Sequence, residues 1–340
     1  MSGIGLQSTG DVLQRIGLGL WTMRTTALAP RNRIALYRAF REEAALAEQL
    51  GFHSIWSAEH RIWYDGWCPA PLHAAASALL ATKRLRFGTA VLLAPQHDPT
   101  VLARTAGELH RLSGGRVDLG LGLGHRDAEF DALGLSRAER GRRMDRTLQV
   151  FEQMWGQGQQ GGSPDMPRRG PTVWIGGMAQ RAIERACSGG YNLILPQTLY
   201  PNELEGIVEK VRQRSAGSVV GTLRDLWVES DPVKARRFRE RFARHFHEEA
   251  GSWWILKGRP AFESPAELSR QMSRIVGSAL IGSPEQVAEG LRALLAAGAE
   301  FFTFRINFDM VSSSELAEQM HQIAQTLPPL LIDAITGASR

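Results

Sequence analysis

The segment Leu85–His125 has the sequence LRFGTAVLLAPQHDPTVLARTAGELHRLSGGRVDLGLGLGH. Its pattern predicts a strand, a loop, a helix, a tight turn and a second strand, which together form one α/β repeat. Small residues cluster where the two strands end, with Thr89-Ala90 at the first and alternating glycines, Gly120 to Gly124, at the second. In a barrel of parallel strands, those carboxyl ends form the active-site face. The segment therefore predicts both an architecture and the place of the chemistry.

Repeats of this kind run along the chain, eight in all with the one in the opening segment. The predicted strands are Arg15–Trp21, His53–Ala58, Leu85–Val91, Arg116–Leu121, Thr172–Gly176, Asn192–Pro196, Ser218–Val228 and Phe301–Ile306. The predicted helices are Asn32–Leu50, Ala70–Ala81, Pro99–Leu112, Ala138–Trp155, Ala179–Ser188, Asn202–Arg214, Pro232–Glu249, Pro284–Ala297 and Ser313–Thr326. Strands and helices that alternate through short links imply a parallel sheet with helical crossovers.

Eight repeats favour a closed (β/α)8 TIM barrel over an open doubly wound sheet. No early G-x-G-x-x-G motif with a downstream acidic residue supports a dinucleotide-binding fold. We expect a single α/β domain over residues 1–335 and a tail at 336–340. Insertions are expected at about 156–170, which is rich in Gly, Gln and Pro, and at about 250–282, which shows little periodicity.

Composition excludes several other classes of protein. The chain has 340 residues and a net charge of +5, but its arginines are spread through helices with acidic neighbours, which predicts solvated helix faces rather than nucleic-acid binding. No apolar run reaches the roughly 18 residues of a membrane span, and the N-terminus lacks a signal-peptide pattern, so we expect a cytoplasmic protein. The two cysteines, Cys68 and Cys187, lie far apart in sequence, so we expect neither a disulfide framework nor a structural zinc site.

Four segments, in this order and spacing, resemble the bacterial luciferase-like flavin-dependent monooxygenases. They are LAEQLGFHSIWSAEH (46–60), FGTAVLLAPQHDPTVLARTAGELHRLSGGRVDLGLGLGH (87–125), PTVWIGGMAQRAIERACSGGYN (171–192) and GSPEQVAEGLRALLAAGAEFF (282–302). The resemblance covers nearly the whole chain and implies a (β/α)8 barrel with insertions. It further implies a homodimeric oxidoreductase that uses reduced FMN and O2, through a peroxyflavin, to oxygenate a small hydrophobic organic substrate. A separate NAD(P)H:flavin reductase would supply the reduced FMN, since no nicotinamide-binding motif is visible.

His60 is the predicted catalytic residue. It ends the second predicted strand, where an imidazole can exchange protons near neutral pH. In the family, the histidine of the matching Glu-His pair faces the flavin as base or proton donor. The structural alternative is a histidine that caps the strand, and Glu59 is expected to orient its neighbours rather than to do chemistry.

The predicted cofactor contacts follow the third and fourth strands. The resemblance places a non-proline cis peptide between Ala90 and Val91, against the flavin ring. Gly124 and His125 leave the fourth strand and are candidate contacts by position. The alternative explanation of the alternating glycines is that they let a neighbouring side chain pack closely.

The predicted phosphate site follows the fifth strand, at Gly177, Met178 and Arg181. Glycines and a helix N-terminus can gather backbone N–H groups around an anion, and Arg181 would add a charge-assisted hydrogen bond. The family usually has a small hydroxyl residue where this chain has Met178, which can offer only its N–H group. Arg140 matches a family arginine at the same phosphate, with Arg142 and Arg143 as alternatives.

Aromatic residues are expected to line a substrate pocket above the flavin. The predicted pocket residues are Trp21, Trp56, Trp63, Trp67 and Gln197. Such aromatics also serve as ordinary core packing. An apolar wall has a use in this family, because the peroxyflavin must be shielded from water.

Two other functions remain open at the level of sequence. The same superfamily contains oxidoreductases that use a deazaflavin and transfer hydride without oxygen, and a non-catalytic flavin-binding relative is a third interpretation. Metal catalysis is not expected, because the first strand lacks the H-x-H pair of metal-dependent barrel hydrolases.

Overall fold

The fold is given by a computed structural model, and the structure describes residues 8–25, 32–62, 67–156, 170–256, 259–260 and 265–337. The strands are β1 (Ile16–Trp21), β2 (Ser54–Ser57), β3 (Arg86–Thr89), β4 (Val117–Leu121), β5 (Thr172–Gly176), β6 (Asn192–Leu195), β7 (Val220–Val228), β8 (Ile255–Leu256), β9 (Arg259–Pro260), β10 (Leu280–Gly282) and β11 (Phe301–Arg305). The helices are α1 (Thr9–Leu13), α2 (Arg33–Gln49), α3 (Pro71–Ala81), α4 (Pro99–Leu112), α5 (Asp127–Ala132), α6 (Arg140–Trp155), α7 (Gln180–Ser188), α8 (Pro201–Arg212), α9 (Pro232–Trp254), α10 (Pro265–Ser278), α11 (Pro284–Ala296) and α12 (Ser313–Gly337).

The main sheet has the strand order β10-β7-β11-β1-β2-β3-β4-β5-β6, with a further pairing between β6 and β7. The ladders from β2 through β6 are parallel, as are those of β7 with β10 and with β11. Setting aside the short β10, eight strands therefore form a closed sheet, and the predicted (β/α)8 barrel fold is confirmed. Each of the eight lies within one of the predicted strands.

Packing divides the chain into two compact units. The first unit comprises residues 19–49 and 54–194, and the second comprises residues 1–18, 50–53 and 195–340. Apolar side chains on neighbouring strands form the core of the first unit, as Phe87 on β3, Leu119 on β4 and Ile175 on β5 illustrate. The extent of the domain, residues 1–335, stays a prediction.

Local sequence sets where the helices begin. Asp98 accepts hydrogen bonds from the N–H groups of Thr100 and Val101 at 2.9 Å and so caps α4. Ser283 caps α11 in the same way through the N–H of Gln286. A proline follows each cap as the first helical residue, where its missing N–H costs nothing.

The structure departs from the predicted elements in three places. The predicted insertion at 250–282 contains the end of α9, the antiparallel β8–β9 pair, α10 and β10, so nearly all of its described residues lie in regular elements. The short helices α1 and α5 have too few turns to show helical periodicity. Helix α12 continues past Thr326, through Pro328 and Pro329, to Gly337, because Leu327 and Leu331 are buried and packing outweighs the proline pair.

Within the described ranges, no helix is both long and apolar enough to cross a membrane. Residues 157–169, most of the predicted insertion at about 156–170, lie outside those ranges.

Candidate functional site

The candidate residues of the first unit follow the ends of four neighbouring strands. Strands β2, β3, β4 and β5 pair in this order, all parallel, so their carboxyl ends share one edge of the sheet. His60 follows β2, Ala90-Val91 follows β3, Gly124-His125 follows β4, and Gly177 to Arg181 follows β5. The arrangement brings together the two imidazoles of His60 and His125, one backbone bulge and one helix N-terminus.

His60 is held by a buried carboxylate. Its Nδ1 lies 3.2 Å from Oε2 of Glu129, whose side chain is fully buried, while 14% of the His60 side chain is exposed. The N–H of Ile62 donates to the other carboxylate oxygen at 3.3 Å. The ring of Trp67 meets the imidazole edge-on, with centroids 4.8 Å apart. Because Nδ1 is engaged by Glu129, proton exchange by His60 would use Nε2.

Glu129 carries a negative charge at neutral pH. Burial raises the pKa of this carboxyl, but the hydrogen bond and the charge of His60, together with the N–H of Ile62, outweigh burial and hold the pKa below its ordinary value. Sequence reasoning missed Glu129, which lies on the six-residue helix α5. The signal available was an acidic residue shortly after a strand end on the active-site edge, and its contact with His60 appears only in three dimensions.

Glu59 orients its neighbours, as expected. Its fully buried carboxylate accepts a hydrogen bond from the N–H of Leu93 at 2.7 Å and lies 2.9 Å from Nε2 of His97. Its own N–H donates to the carbonyl of Val91 at 3.0 Å. These bonds fix the loop after β3 against the end of β2.

The peptide between Ala90 and Val91 is cis, which confirms the geometry that the resemblance implied. Glycines from two strands make room for the Val91 side chain. A Cβ added at Gly122 would lie 2.3 Å from Cγ2 of Val91, and one added at Gly176 would lie 2.5 Å from Cγ1. The structural explanation of the alternating glycines is therefore confirmed for Gly122, where the absent side chain allows close packing.

His125 stands near His60 and is uncharged at neutral pH. The two imidazole centroids lie 6.1 Å apart. Burial of the imidazole and the charge of His60 lower the pKa of His125 to about 4, and the negative charge of Glu129 only partly opposes them. Gly124, with φ of 73°, lets the chain turn before His125. A neutral imidazole here can both donate and accept a hydrogen bond.

The turn after β5 leads into the N-terminus of α7. The N–H of Gly177 donates to the carbonyl of Ile194 at 3.2 Å, so the prediction that Gly177 offers an N–H to an anion is wrong. Its φ of 134° instead turns the chain. Among the described residues, no hydrogen bond engages the backbone N–H groups of positions 178 to 181. Met178 is 53% exposed, and four N–H groups at a helix N-terminus can bind an anion.

Arg181 extends from the first turn of α7 into solvent. Its side chain is 84% exposed and lies 3.2 Å from Glu184, one turn later. An exposed pair of this kind adds little stability and leaves the guanidinium able to move to another anion.

The three arginines at the start of α6 differ in their surroundings. Arg140 is half-buried and donates to a carbonyl of the preceding turn. Arg142 is exposed and pairs with a glutamate of the same turn, and Arg143 donates to the carbonyl of Pro95 at 2.5 Å. Arg185 ties α7 to the first turns of α6 through an ion pair of 2.6 Å with Asp145. The start of α6 thus lies beside α7, as a shared phosphate site requires.

Two of the predicted pocket residues belong to the core. Trp21 is buried and donates from Nε1 to Glu43 at 2.6 Å. Trp56 is fully buried, donates to Ser54 at 2.7 Å, and packs so closely on Gly88 that a Cβ there would lie 2.3 Å from the indole. Both pocket assignments are therefore wrong, because the two indole rings are buried in the core.

The remaining predicted pocket residues have different outcomes. Trp67 contacts His60 and stays a candidate. Trp63 lies outside the described residues. Gln197 belongs to the second unit, where its backbone carbonyl accepts a hydrogen bond from the buried Arg224 and its side chain is half-buried.

Comparison with known proteins gives a match over most of the chain. A family model described as luciferase-like monooxygenase matches residues 18–300. The oxygenase component of the flavin-dependent trigonelline monooxygenase from Acinetobacter baylyi is 24% identical over 327 residues, which is 86% of this chain and 89% of that protein. The 4-hydroxyprotoasukamycin monooxygenase of Streptomyces nodosus subsp. asukaensis is 31% identical over 142 residues, 42% of this chain.

The alignment with the 4-hydroxyprotoasukamycin monooxygenase spans 38% of that protein. An uncharacterized protein of Sinorhizobium fredii is 28% identical over 197 residues, which is 54% of this chain and 56% of that protein. The chain thus aligns with between a third and three fifths of these two relatives.

Three solved structures share the fold. Monooxygenase RslO1 from Streptomyces bottropensis has a TM-score of 0.77 at 20% identity and covers 93% of this chain and 99% of its own. The oxygenating constituent of 3,6-diketocamphane monooxygenase from Pseudomonas putida, in complex with FMN, has a TM-score of 0.73 at 17% identity over 93% and 98%. An F420-dependent secondary alcohol dehydrogenase with an F420-acetone adduct has a TM-score of 0.69 at 15% identity over 94% and 98%. At these identities the likeness is one of fold.

Proposed function

Because the chain belongs to the luciferase-like monooxygenase family, we propose that it is the oxygenase of a two-component system that uses reduced FMN and O2 to oxygenate a small hydrophobic organic molecule. One observation carries the proposal. A carboxylate-held histidine, a backbone bulge and a helix N-terminus whose first N–H groups make no hydrogen bond among the described residues follow neighbouring parallel strands of one compact unit. These are the groups that a flavin with a phosphate tail requires.

The described residues fit FMN. The N–H groups of positions 178 to 181, with the guanidinium of Arg181, would hold the phosphate, and Arg140 at the start of the neighbouring helix would add a second cation. The bulge at Ala90-Val91 would support the ring system, with Gly124 and His125 at its edge. When bound, reduced FMN would supply the electrons that activate O2.

The chain's own side chains would handle the proton and exclude water. Glu129 fixes the orientation of His60 through Nδ1, and Nε2 would give or take the proton. Trp67 packs its indole against the same imidazole and removes water from one side of it. His125, neutral at pH 7, would act as a hydrogen-bonding group rather than as a cation.

The proposal extends to partners and setting. A relative that is named an oxygenase component supports a separate NAD(P)H:flavin reductase as partner. We propose a cytoplasmic homodimer, with no role for nucleic acid or membrane. Two relatives whose names specify organic substrates support a small organic substrate, and the apolar ring of Trp67 beside His60 favours a hydrophobic one.

Binding of the cofactor is the first test. The protein is titrated under anaerobic conditions with reduced FMN, and under air with FMN and with a deazaflavin, followed by fluorescence and calorimetry. We expect reduced FMN to bind most tightly. Arg181→Ala should weaken that binding about tenfold, which corresponds to one lost charge-assisted hydrogen bond. Arg236→Ala, which removes an exposed arginine on α9, is the matched control and should change the affinity less than about twofold.

The proton role of His60 is tested separately. His60→Gln should retain reduced FMN affinity within about threefold but slow oxygen-dependent product formation by roughly a hundredfold or more, the usual contribution of a general acid or base. Full turnover in this variant would refute the role. Unchanged FMN affinity in Arg181→Ala would refute the phosphate assignment.

The same titration, together with measurements of oxygen uptake and product formation, tests the other two functions. A solved structure with this fold holds a deazaflavin adduct, so hydride transfer without oxygen is the second candidate. Tight deazaflavin binding without oxygen uptake would replace the oxygenase proposal. Flavin binding without any substrate oxidation, across a panel of hydrophobic compounds, would favour the non-catalytic relative.

A further inference from the structure

The loop between β3 and α4 continues directly from the Ala90-Val91 bulge. We refer to residues 92–97 as the β3–α4 loop. Its first residue, Leu92, is tied to β4, because its N–H donates to the carbonyl of Gly120 at 2.8 Å. The next residues form one turn of 3-10 helix, Ala94–Gln96, whose three side chains are buried. The backbone that would support the flavin ring therefore depends on what holds this loop.

Glu59, just after β2, holds both ends of the loop. Its N–H donates to the carbonyl of Val91 at 3.0 Å, and its side chain accepts from the N–H of Leu93 at 2.7 Å. At the far end, Nε2 of His97 lies 2.9 Å from Oε1 and 3.0 Å from Oε2 of the same carboxylate. Because a carboxylate can only accept hydrogen bonds, Nε2 is the donor. The next residue along the chain is His60, so the loop is fixed to the strand end that carries the predicted catalytic residue.

Helix α6 holds the loop from the other side. Nε of Arg143 donates to the carbonyl of Pro95 at 2.5 Å, and Nη2 lies 3.4 Å from the carbonyl oxygen of His97. Arg143 follows Arg140, the arginine assigned to the phosphate, by three residues, so the two lie on one side of the helix. The helix that would bind the phosphate thus also holds the loop next to the bulge.

We propose that Arg143 and His97 are positioning residues that set the flavin ring relative to its phosphate and to Nε2 of His60. The proposal rests on the proposed function, since the ring and the phosphate are those of FMN. Arg143, an alternative phosphate ligand by sequence, acts instead through the backbone of the β3–α4 loop. Loss of either side chain should release the loop and weaken ring binding, while the phosphate site stays intact.

Reduced FMN and reduced riboflavin, which lacks the phosphate, separate the two roles of an arginine. In anaerobic titrations, Arg143→Ala should weaken the binding of both about tenfold, because the support of the ring is lost. Arg181→Ala should weaken FMN binding alone. Arg146→Ala, which removes an exposed arginine one turn further along α6, is the matched control and should change neither affinity by more than about twofold.

The His97 contact is tested with a disruptive and a conservative variant. His97→Leu removes the donor to Glu59 and should weaken both flavins about tenfold. His97→Gln retains an N–H donor of similar reach, so it should bind both flavins within about threefold of the wild type. His73→Leu, at an exposed position on α3, is the matched control.

The visible circular dichroism of bound FMN separates positioning from a general loss of stability. This signal arises from the surroundings of the ring, and it is recorded at saturating FMN on variants whose far-ultraviolet spectrum shows them to be folded. Arg143→Ala and His97→Leu should change its shape or sign. His97→Gln and Arg146→Ala should retain the wild-type spectrum.

The link between helix and loop is also measured without any flavin. In the unliganded protein, the N–H of Leu93 should exchange with solvent at least about tenfold faster in Arg143→Ala and in His97→Leu than in the wild type. Unchanged exchange would overturn the link itself. A wild type that binds neither flavin would instead overturn the proposed function and, with it, the positioning roles.

Two binding results would overturn the proposal even if FMN binds as expected. The first is an Arg143→Ala variant that binds reduced FMN more weakly but reduced riboflavin as the wild type does, since the arginine would then contact the phosphate. The second is a His97→Leu variant whose flavin affinities and visible spectrum match those of His73→Leu.

Discussion

Replacing Gly122 by alanine should destabilise the protein through a single contact. The new Cβ would lie 2.3 Å from Cγ2 of Val91, whereas carbon atoms in contact normally lie about 3.5–4.0 Å apart. One of the two groups must therefore move by more than about 1 Å within a tightly packed bulge. Overpacking of this kind costs about 1–3 kcal/mol. We expect Gly122→Ala to lower the free energy of unfolding by that amount.

A second substitution tests whether Val91 is the cause. Val91→Ala removes both Cγ atoms, so the double variant should recover most of the cost, with a coupling energy of about 1–2 kcal/mol in a double-mutant cycle. Gly120→Ala is the contrasting case, because its Cβ would meet the carbonyl oxygen of Thr89 at 1.9 Å, and a shorter side chain at 91 cannot relieve a backbone clash.

Equilibrium unfolding in urea, followed by circular dichroism, measures each variant. Gly206→Ala on α8 is the matched control, because a Cβ there meets nothing within 4 Å and alanine favours a helix interior by up to about 1 kcal/mol. The reasoning is refuted if Gly122→Ala is as stable as Gly206→Ala. It is also refuted if Val91→Ala and Gly122→Ala simply add.

Three further predictions follow from other contacts. The His125 imidazole should titrate near pH 4 by NMR, and His60→Gln should raise that midpoint, because the His60 charge helps to lower the pKa of His125; an unchanged midpoint would contradict this. Glu48 accepts three N–H groups, from residues 83–85, and its pKa is lowered because these bonds outweigh burial. The stability that Glu48 contributes is therefore complete above its unfolded pKa of about 4.5 and is lost as the pH falls through the lower folded value. Glu48→Gln should cost about 1 kcal/mol at pH 7, after allowance for solvent screening, and progressively less as the pH falls through the folded pKa of Glu48, measured by urea unfolding. Arg116 donates to the carbonyl oxygens of three separate residues and to one hydroxyl, so Arg116→Lys should lower the free energy of unfolding by about 2 kcal/mol; a loss below about 0.5 kcal/mol would contradict this.

Sequence reasoning located the strands well, because a barrel strand is a short apolar run that lies between turn residues. Each of the eight barrel strands lies inside its predicted range, and β5 matches it at both ends. Helix α10 and strand β10 were missed, because the segment 250–282 gave no clear period from which to read a buried face. The end of α12 was missed because Pro328-Pro329 predicts a stop that the burial of Leu331 overrides.

The orientation of individual side chains was the weaker part of the prediction. Strands of a closed parallel barrel are buried on both faces, so alternation does not reveal which residues face the core and which face a pocket. Trp56 and Trp21 were assigned to the pocket for that reason, and both are packed in the interior. Trp67, which lies beyond a strand, is the pocket assignment that contacts His60.

Gly122 and Glu129 contribute to the candidate site in different ways. The role of Gly122 is one of packing, because the absence of a Cβ leaves room for the side chain of Val91 beside the strand ends. Glu129 gives no periodic signal on its short helix, yet its buried charge holds the one imidazole assigned to proton transfer. Close packing of this kind can be predicted from the sequence, because it needs a glycine at a particular position. A carboxylate-imidazole pair joins residues 69 positions apart, and this depends on how β2 and β4 lie in the sheet. The sequence was therefore sufficient to predict which edge of the sheet holds the site, whereas Glu129, which orients His60, could be identified only from the fold.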